Sequence, residues 1–211
     1  MSLYLGKIHY WLFNKIVWFE GLESEIIKLA EKKGLNVEEL SAEINKKYGE
    51  KLPNKPLEEI IDLGNIHGWL QSKIHSAEGR VATWTARIIQ SSKDNSNEMN
   101  DIFIHQGMNT GMLVREEKGE LNTAIEIYNS INDYILDGMP CDRVNEVIIS
   151  EEDLVKWQRR ICVHKDIWDE VGVEVEYFYT LRDLWIKAFV TEVNSSFIYI
   201  EKDGVMEIKR V

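Results

Sequence analysis

Five histidines, at positions 9, 67, 75, 105 and 164, are the side chains of this chain that change charge most easily near neutral pH. Read at helical spacing, Leu154, Trp157, Ile161, His164, Trp168 and Val171 form one stripe, with His164 as its single polar member. His67 falls in a second stripe, Ile60, His67, Ile74, Val81 and Ile88, spaced by seven. His9 lies one turn from Leu5 and from Leu12-Phe13. Burying an imidazole costs free energy unless both nitrogens find partners. His164 is therefore expected to be buried and bound, with His67 as its partner across a helix interface and His9 as a third member.

Two chemistries follow from that trio. A metal site of His9, His67 and His164 could form between facing helices. Nitrogen and oxygen ligands suit a divalent zinc, iron, nickel or manganese ion, and an open coordination position implies hydrolysis or redox chemistry. Without metal, a histidine could act as general base on a small carboxylated ligand clamped by the planar fork of Arg143. On this reading His67, His164 and Arg143 are the catalytic residues, and Glu78 and Asp142 are secondary. A core histidine satisfied by its neighbours explains the same residues with no ligand. In helix count and interior histidines the chain resembles metal-dependent bundles of the DinB kind and di-iron carboxylate bundles. It lacks the H-x-x-x-H, H-E-x-x-H or E-x-x-H pair that such bundles carry.

Other residues have paired readings. His75 and Glu78 are three apart on a helix, where an exposed surface pair is expected. Gly64 and Gly68 flank His67, leaving either close helix packing or room for a ligand, with Gln71 one turn on. Cys141 could serve as a nucleophile, whereas Cys162 reads as small core filler. Trp157 and Trp168 could wall an aromatic pocket around His164. There is no phosphate loop, nucleophile elbow or CxxC.

These residues must be held by helices. The spacing predicts helices over 3–33, 36–48, 56–91, 97–116, 120–137, 150–172 and 175–193. The polar run SSKDNSNE (91–98) is a connector. Gly107 and Gly111 weaken the fourth helix or let a second helix approach closely. The tail SSFIYIEKDGVMEIKRV changes to period two around Asp203-Gly204, a hairpin turn signal. The expected fold is mainly α: a bundle of about six or seven helices over 1–194 with a short β-hairpin appendage over 195–211. A lone hairpin is marginal in water, so it must dock on the helices or on a second chain.

The net charge is −11 and uneven: residues 1–55 carry nine Lys and Arg against eight Asp and Glu, the rest 16 against 28. An acidic surface disfavours nucleic acid and anionic membranes. The apolar start is interrupted by Lys7, His9, Asn14 and Lys15, which reads as a core helix rather than a signal peptide or span. Met-Ser-Leu at the start could be a cloning remnant. Two cysteines exclude a disulfide framework, and a cytoplasmic setting is expected. Two functions remain open: a small-molecule enzyme or binding protein centred on histidine, and a non-enzymatic adaptor that oligomerises through the terminal hairpin.

Overall fold

The computed structural model describes residues 4–91 and 96–211. The opening Met-Ser-Leu and residues 92–95 of the 91–98 connector lie outside the described residues, while 91 ends one helix and 96–98 begin the next. Helix α1 (Lys7–Lys32) buries Leu12, Phe13, Ile16, Phe19, Leu22, Ile26 and Leu29, which recur every three or four residues. It ends as its sequence dictates: Gly34 turns left-handed (φ 77°), and the Leu35 and Gly34 N–H groups donate to Ala30 O and Glu31 O. In α2 (Val37–Tyr48), Asn36 caps the first turn by accepting from Glu39 N.

The long helix expected over 56–91 is two. A single turn, α3 (Leu57–Ile60), follows Pro56, and α4 (Ile66–Ser91) begins after a break. The break has a local cause. Asp62 Oδ1 accepts from Gly64 N at 2.8 Å, and Asn65 Oδ1 accepts from Gly68 N at 3.2 Å, so both side chains compete for backbone donors. A Cβ on Gly68 would stand 2.3 Å from Asn65 Nδ2, so this glycine makes room for the cap. Neither close helix packing nor ligand room is needed to explain it. The heptad seam holds from Leu70 to Ile88, while Leu63 and His67 ahead of it are exposed.

Helices α5 (Ser96–Lys118) and α8 (Val175–Val193) pack most closely. A Cβ on Gly107 would lie 2.3 Å from Trp185 O, and one on Gly111 would lie 3.0 Å from Phe189 O. The small-residue reading of this pair is correct. Helix α6 (Ala124–Asn132) is shorter than the 120–137 expected; a capping box of Thr123 and Glu126 opens it.

The largest correction concerns 150–172. This stretch is a strand pair and a short helix: β1 (Asn145–Ser150), β2 (Leu154–Arg159) and α7 (Lys165–Glu170). Within β2, Val155 and Trp157 are buried and their neighbours are not, which is period two. The helical stripe through Leu154, Trp157, Ile161 and His164 is a coincidence of spacing, and Ile161 is exposed.

The terminal strands β3 (Phe197–Lys202) and β4 (Val205–Arg210) form the expected hairpin, with Asp203 and Gly204 at φ 55° and 79°. This hairpin joins β1 and β2 in one antiparallel sheet of order β1-β2-β4-β3, with Trp157 opposite Met206 and Tyr199 opposite Ile208. Its inner face buries Phe197, Tyr199, Met206 and Ile208 within the common core, so the hairpin is integral to that core. The protein is mainly α with a small C-terminal sheet. No helix among the described residues is long and apolar enough to cross a membrane.

Candidate functional site

His164 lies between β2 and α7, in the position that opens α7; its carbonyl accepts from Ile167 N and Trp168 N. This places the side chain inward, only 1% exposed. Its Nδ1 is 2.6 Å from Glu78 Oε1 on α4, and its Nε2 is 2.9 Å from Asp137 Oδ1 in the segment after α6. Arg182 on α8 donates to the same Asp137 oxygen at 2.7 Å and to Leu136 O at 3.0 Å. Trp168 Nε1 donates to Glu78 Oε1 at 3.1 Å, and Asn145 Nδ2 donates to Asp137 Oδ2 at 2.6 Å. The edge of Phe178 packs against the imidazole at 5.0 Å between centroids.

The charges of this cluster balance only when His164 is protonated: two carboxylates against an imidazolium and a guanidinium. Burial opposes the charged ring, but Glu78 and Asp137 outweigh it and hold its pKa above the usual histidine value. Burial likewise opposes the Asp137 carboxylate, and Arg182 and His164 reverse that, holding it well below the carboxylate range. Arg182 Nη2 is 2.9 Å from His164 Nε2. Both are donors in this state, and each has an oxygen to serve: Leu136 O and Asp137 Oδ1. Lys15 on α1 also faces this region. It is 4% exposed, sits 3.9 Å over the Trp11 ring, and is pushed down to about 8, chiefly by burial.

The expected histidine trio is not assembled around His164. His67 stands in the first turn of α4, exposed, 11 residues before Glu78, or about 16 Å along the helix axis. The structure brings it instead to His9, with ring centroids 5.6 Å apart. His9 Nδ1 accepts from Gly6 N at 2.9 Å, which makes His9 part of the cap of α1. Both nitrogens of His164 face carboxylates, which leaves no lone pair for a metal, so the chemistry of the proposed zinc, iron, nickel or manganese site does not fit this residue. Among the described residues no three His, Cys, Asp or Glu side chains are placed to hold one metal ion. Arg143 is exposed, in a left-handed turn (φ 51°), and takes no part in the His164 network. Asp142 caps that turn by accepting from Met139 N, and Cys141 is exposed. Cys162, read as core filler, is also exposed, with Sγ 3.0 Å from Tyr179 Oη. Glu78 does not pair with His75 but is buried with His164. Of the two tryptophans expected to wall that histidine, Trp168 does so and Trp157 packs on Tyr128 and Tyr199 in the sheet.

A second buried ionic cluster ties α1 to α4. Arg80, fully buried, pairs with Glu20 and Glu23 and donates to Gly49 O and Glu50 O, while Leu52 N donates to Glu20. Every charged group there is engaged within the fold, so it reads as a brace for the segment after α2.

Space for a ligand lies beside the His164 network rather than at it. A cleft of about 410 Å³ opens between α8 and the sheet, and an inner cavity of about 30 Å³ lies against Asp137, Asn145 and Arg182. Arg159, Asp183 and Met206 line both. The Arg159 guanidinium stacks on the Tyr179 ring at 3.2 Å, and among the described residues no carboxylate lies within 4.0 Å of it. Asp183 accepts from Tyr199 Oη at 2.6 Å, and burial pushes its carboxyl up. A larger groove of about 630 Å³ between α1 and α5 is lined mainly by apolar residues such as Val17, Trp18, Met108 and Met112 and gathers no comparable set of charges. In comparisons with protein-family models, curated proteins and solved structures, none matches the chain.

Sequence reasoning missed Arg159, Arg182, Asp137 and Asp183. Arg182 did leave a signal: it interrupts the apolar stripe of Phe178, Leu181, Trp185 and Phe189, with no carboxylate three or four residues away. A buried guanidinium there demands an acid from another element.

Proposed function

We propose that this chain binds a small anionic molecule in the cleft between α8 and the sheet, with Arg159 as the anchor. The observation that carries this reading is the stacked guanidinium without an ion-pair partner at the junction of cleft and inner cavity. Stacking fixes the plane of the fork, so little rotamer freedom is lost when an oxyanion docks on it. The network of His164, Glu78, Asp137 and Arg182 acts as a rigid floor: Asp137 and Arg182 line the inner cavity and are locked by His164 behind them. His164 itself is a positioning residue in this reading, and the carboxylated ligand expected at Arg143 is assigned to Arg159 instead.

The test is thermal unfolding at low salt with acetate, propionate, butyrate and inorganic phosphate as probes. A ligand at a hundred times its Kd stabilises by about 2.7 kcal/mol. At least one probe is expected to raise Tm in a saturable way, and Arg159→Gln to remove the effect. Equal responses from wild type and Arg159→Gln would overturn the reading.

A second reading, self-association, has one supporting observation. The sheet order leaves β1 as an edge strand, and Val147 and Ile148 on it are 44% and 51% exposed. An open, apolar edge favours pairing with another strand. A dimer by light scattering that Ile148→Lys dissociates would support it, and a monomer at all concentrations would remove it.

A further inference from the structure

Arg159 and Asp183 carry opposite charges and line the same two cavities. The Arg159 charge acts on Asp183, yet no nitrogen–oxygen pair between them falls within 4.0 Å. Direct neutralisation is therefore not how either charge is satisfied. Arg182 also acts on Asp183 through its charge but makes no ion pair with it; its bonds go to Asp137 and Leu136 O. Asp183 Oδ1 receives the Tyr199 hydroxyl, and its second oxygen has no hydrogen-bond partner among the described residues. The junction thus presents one open donor fork and one open acceptor, separated by a gap. Met206 is the third residue common to both cavities and offers an apolar surface.

From this juxtaposition we infer that the ligand is a compact amino-carboxylate, its carboxylate on Arg159 and its ammonium on Asp183. The inference rests on the anion-binding reading of Arg159 and adds the second charge. A plain carboxylate seated on Arg159 brings a negative charge toward Asp183 and leaves the free Asp183 oxygen unserved. An ammonium on the same molecule reverses the sign of that interaction and can donate to the second Asp183 oxygen. The inner cavity, at about 30 Å³ against about 410 Å³ for the outer cleft, suits a compact polar head group rather than an extended chain. A short methylene linker then lies against Met206.

Calorimetric titration of the full chain tests this with glycine, β-alanine and γ-aminobutyrate, each against its deaminated counterpart, acetate, propionate or butyrate, and with butylamine as the lone amine. At least one amino-carboxylate is expected to bind tenfold or more tighter than its counterpart. Asp183→Asn should reduce that ratio to about one, weakening the amino-carboxylate and strengthening the plain carboxylate as the like charge beside it is removed, and Arg159→Gln should remove binding of both. Carboxylates that bind through Arg159 equally well with or without the amine overturn the zwitterion inference and leave the anion reading standing. Absence of binding by every probe, or binding untouched by Arg159→Gln, overturns both. The wild-type comparison needs no variant to fold.

Discussion

Replacing His164 with Leu tests the buried network from its centre. The substitution keeps side-chain volume but removes one positive charge from a cluster that is otherwise balanced. Glu78 is then left buried with only the Trp168 N–H, and Asp137 keeps Arg182 and Asn145. Stranding a buried charge costs about 3–5 kcal/mol, a large share of a stability of about 5–15 kcal/mol for a domain. The assay is urea unfolding across pH. His164 has a folded pKa above its unfolded value, so its contribution is complete below about 6.5 and is lost as pH rises through the folded pKa. Asp137 has the opposite sense: its contribution is present above about 3.8 and is lost as pH falls through its depressed folded pKa. Lys15, depressed to about 8, gains stability as pH rises through that value, opposing His164. The difference between wild type and His164→Leu should be largest just below about pH 6.5, shrink in alkali, and shrink again in strong acid where the carboxylates protonate. Adding Glu78→Gln removes the stranded charge while keeping an acceptor for Trp168, and should recover about 2 kcal/mol. A loss below about 1 kcal/mol, the value of an ordinary single hydrogen bond, with an unchanged pH profile would refute the ionic-lock account.

Three further outcomes follow from the packing. Gly107→Ala places a Cβ against the Trp185 carbonyl and should destabilise by about 1–3 kcal/mol, read as a lower Tm. Arg80→Met leaves Glu20 and Glu23 buried without their cation and should cost about 3–5 kcal/mol in urea unfolding, most of it recovered at acid pH where the carboxylates protonate. Deleting 195–211 takes Phe197, Tyr199, Met206 and Ile208 out of the core, so circular dichroism should show loss of cooperative unfolding rather than an intact helical bundle.

Much of the fold was legible where local chemistry decides the backbone. Helix α8 has the bounds its spacing predicts, Gly34 and Asn36 end and begin helices as expected, and Asp203-Gly204 turns the hairpin. Strand β2 was not legible, because six residues fit a period of two and of 3.6 alike, and only the partners β1 and β4 settle the matter. The break before α4 was readable in principle from Asp62, Gly64 and Asn65, whose side chains bond the backbone more readily than they continue a helix. The site was the least legible part. Glu78, Asp137 and Arg182 lie 86, 27 and 18 residues from His164, so nothing in local spacing joins them. The requirement that a buried imidazole find partners was readable; the identity of those partners depended on tertiary packing. Arg159 was hidden for a different reason: that it lacks an ion-pair partner among the described residues is visible only once the chain is folded.

The measurement that bears most directly on the central claim is a heteronuclear NMR titration of the arginine side-chain Nε–H resonances, with γ-aminobutyrate and butyrate as probes. The account predicts that the Arg159 resonance moves saturably while that of Arg182, locked by Asp137, moves little, and that Arg159→Gln abolishes the response. A titration in which Arg159 stays unmoved to saturating probe would contradict the assignment of this cleft as the binding site.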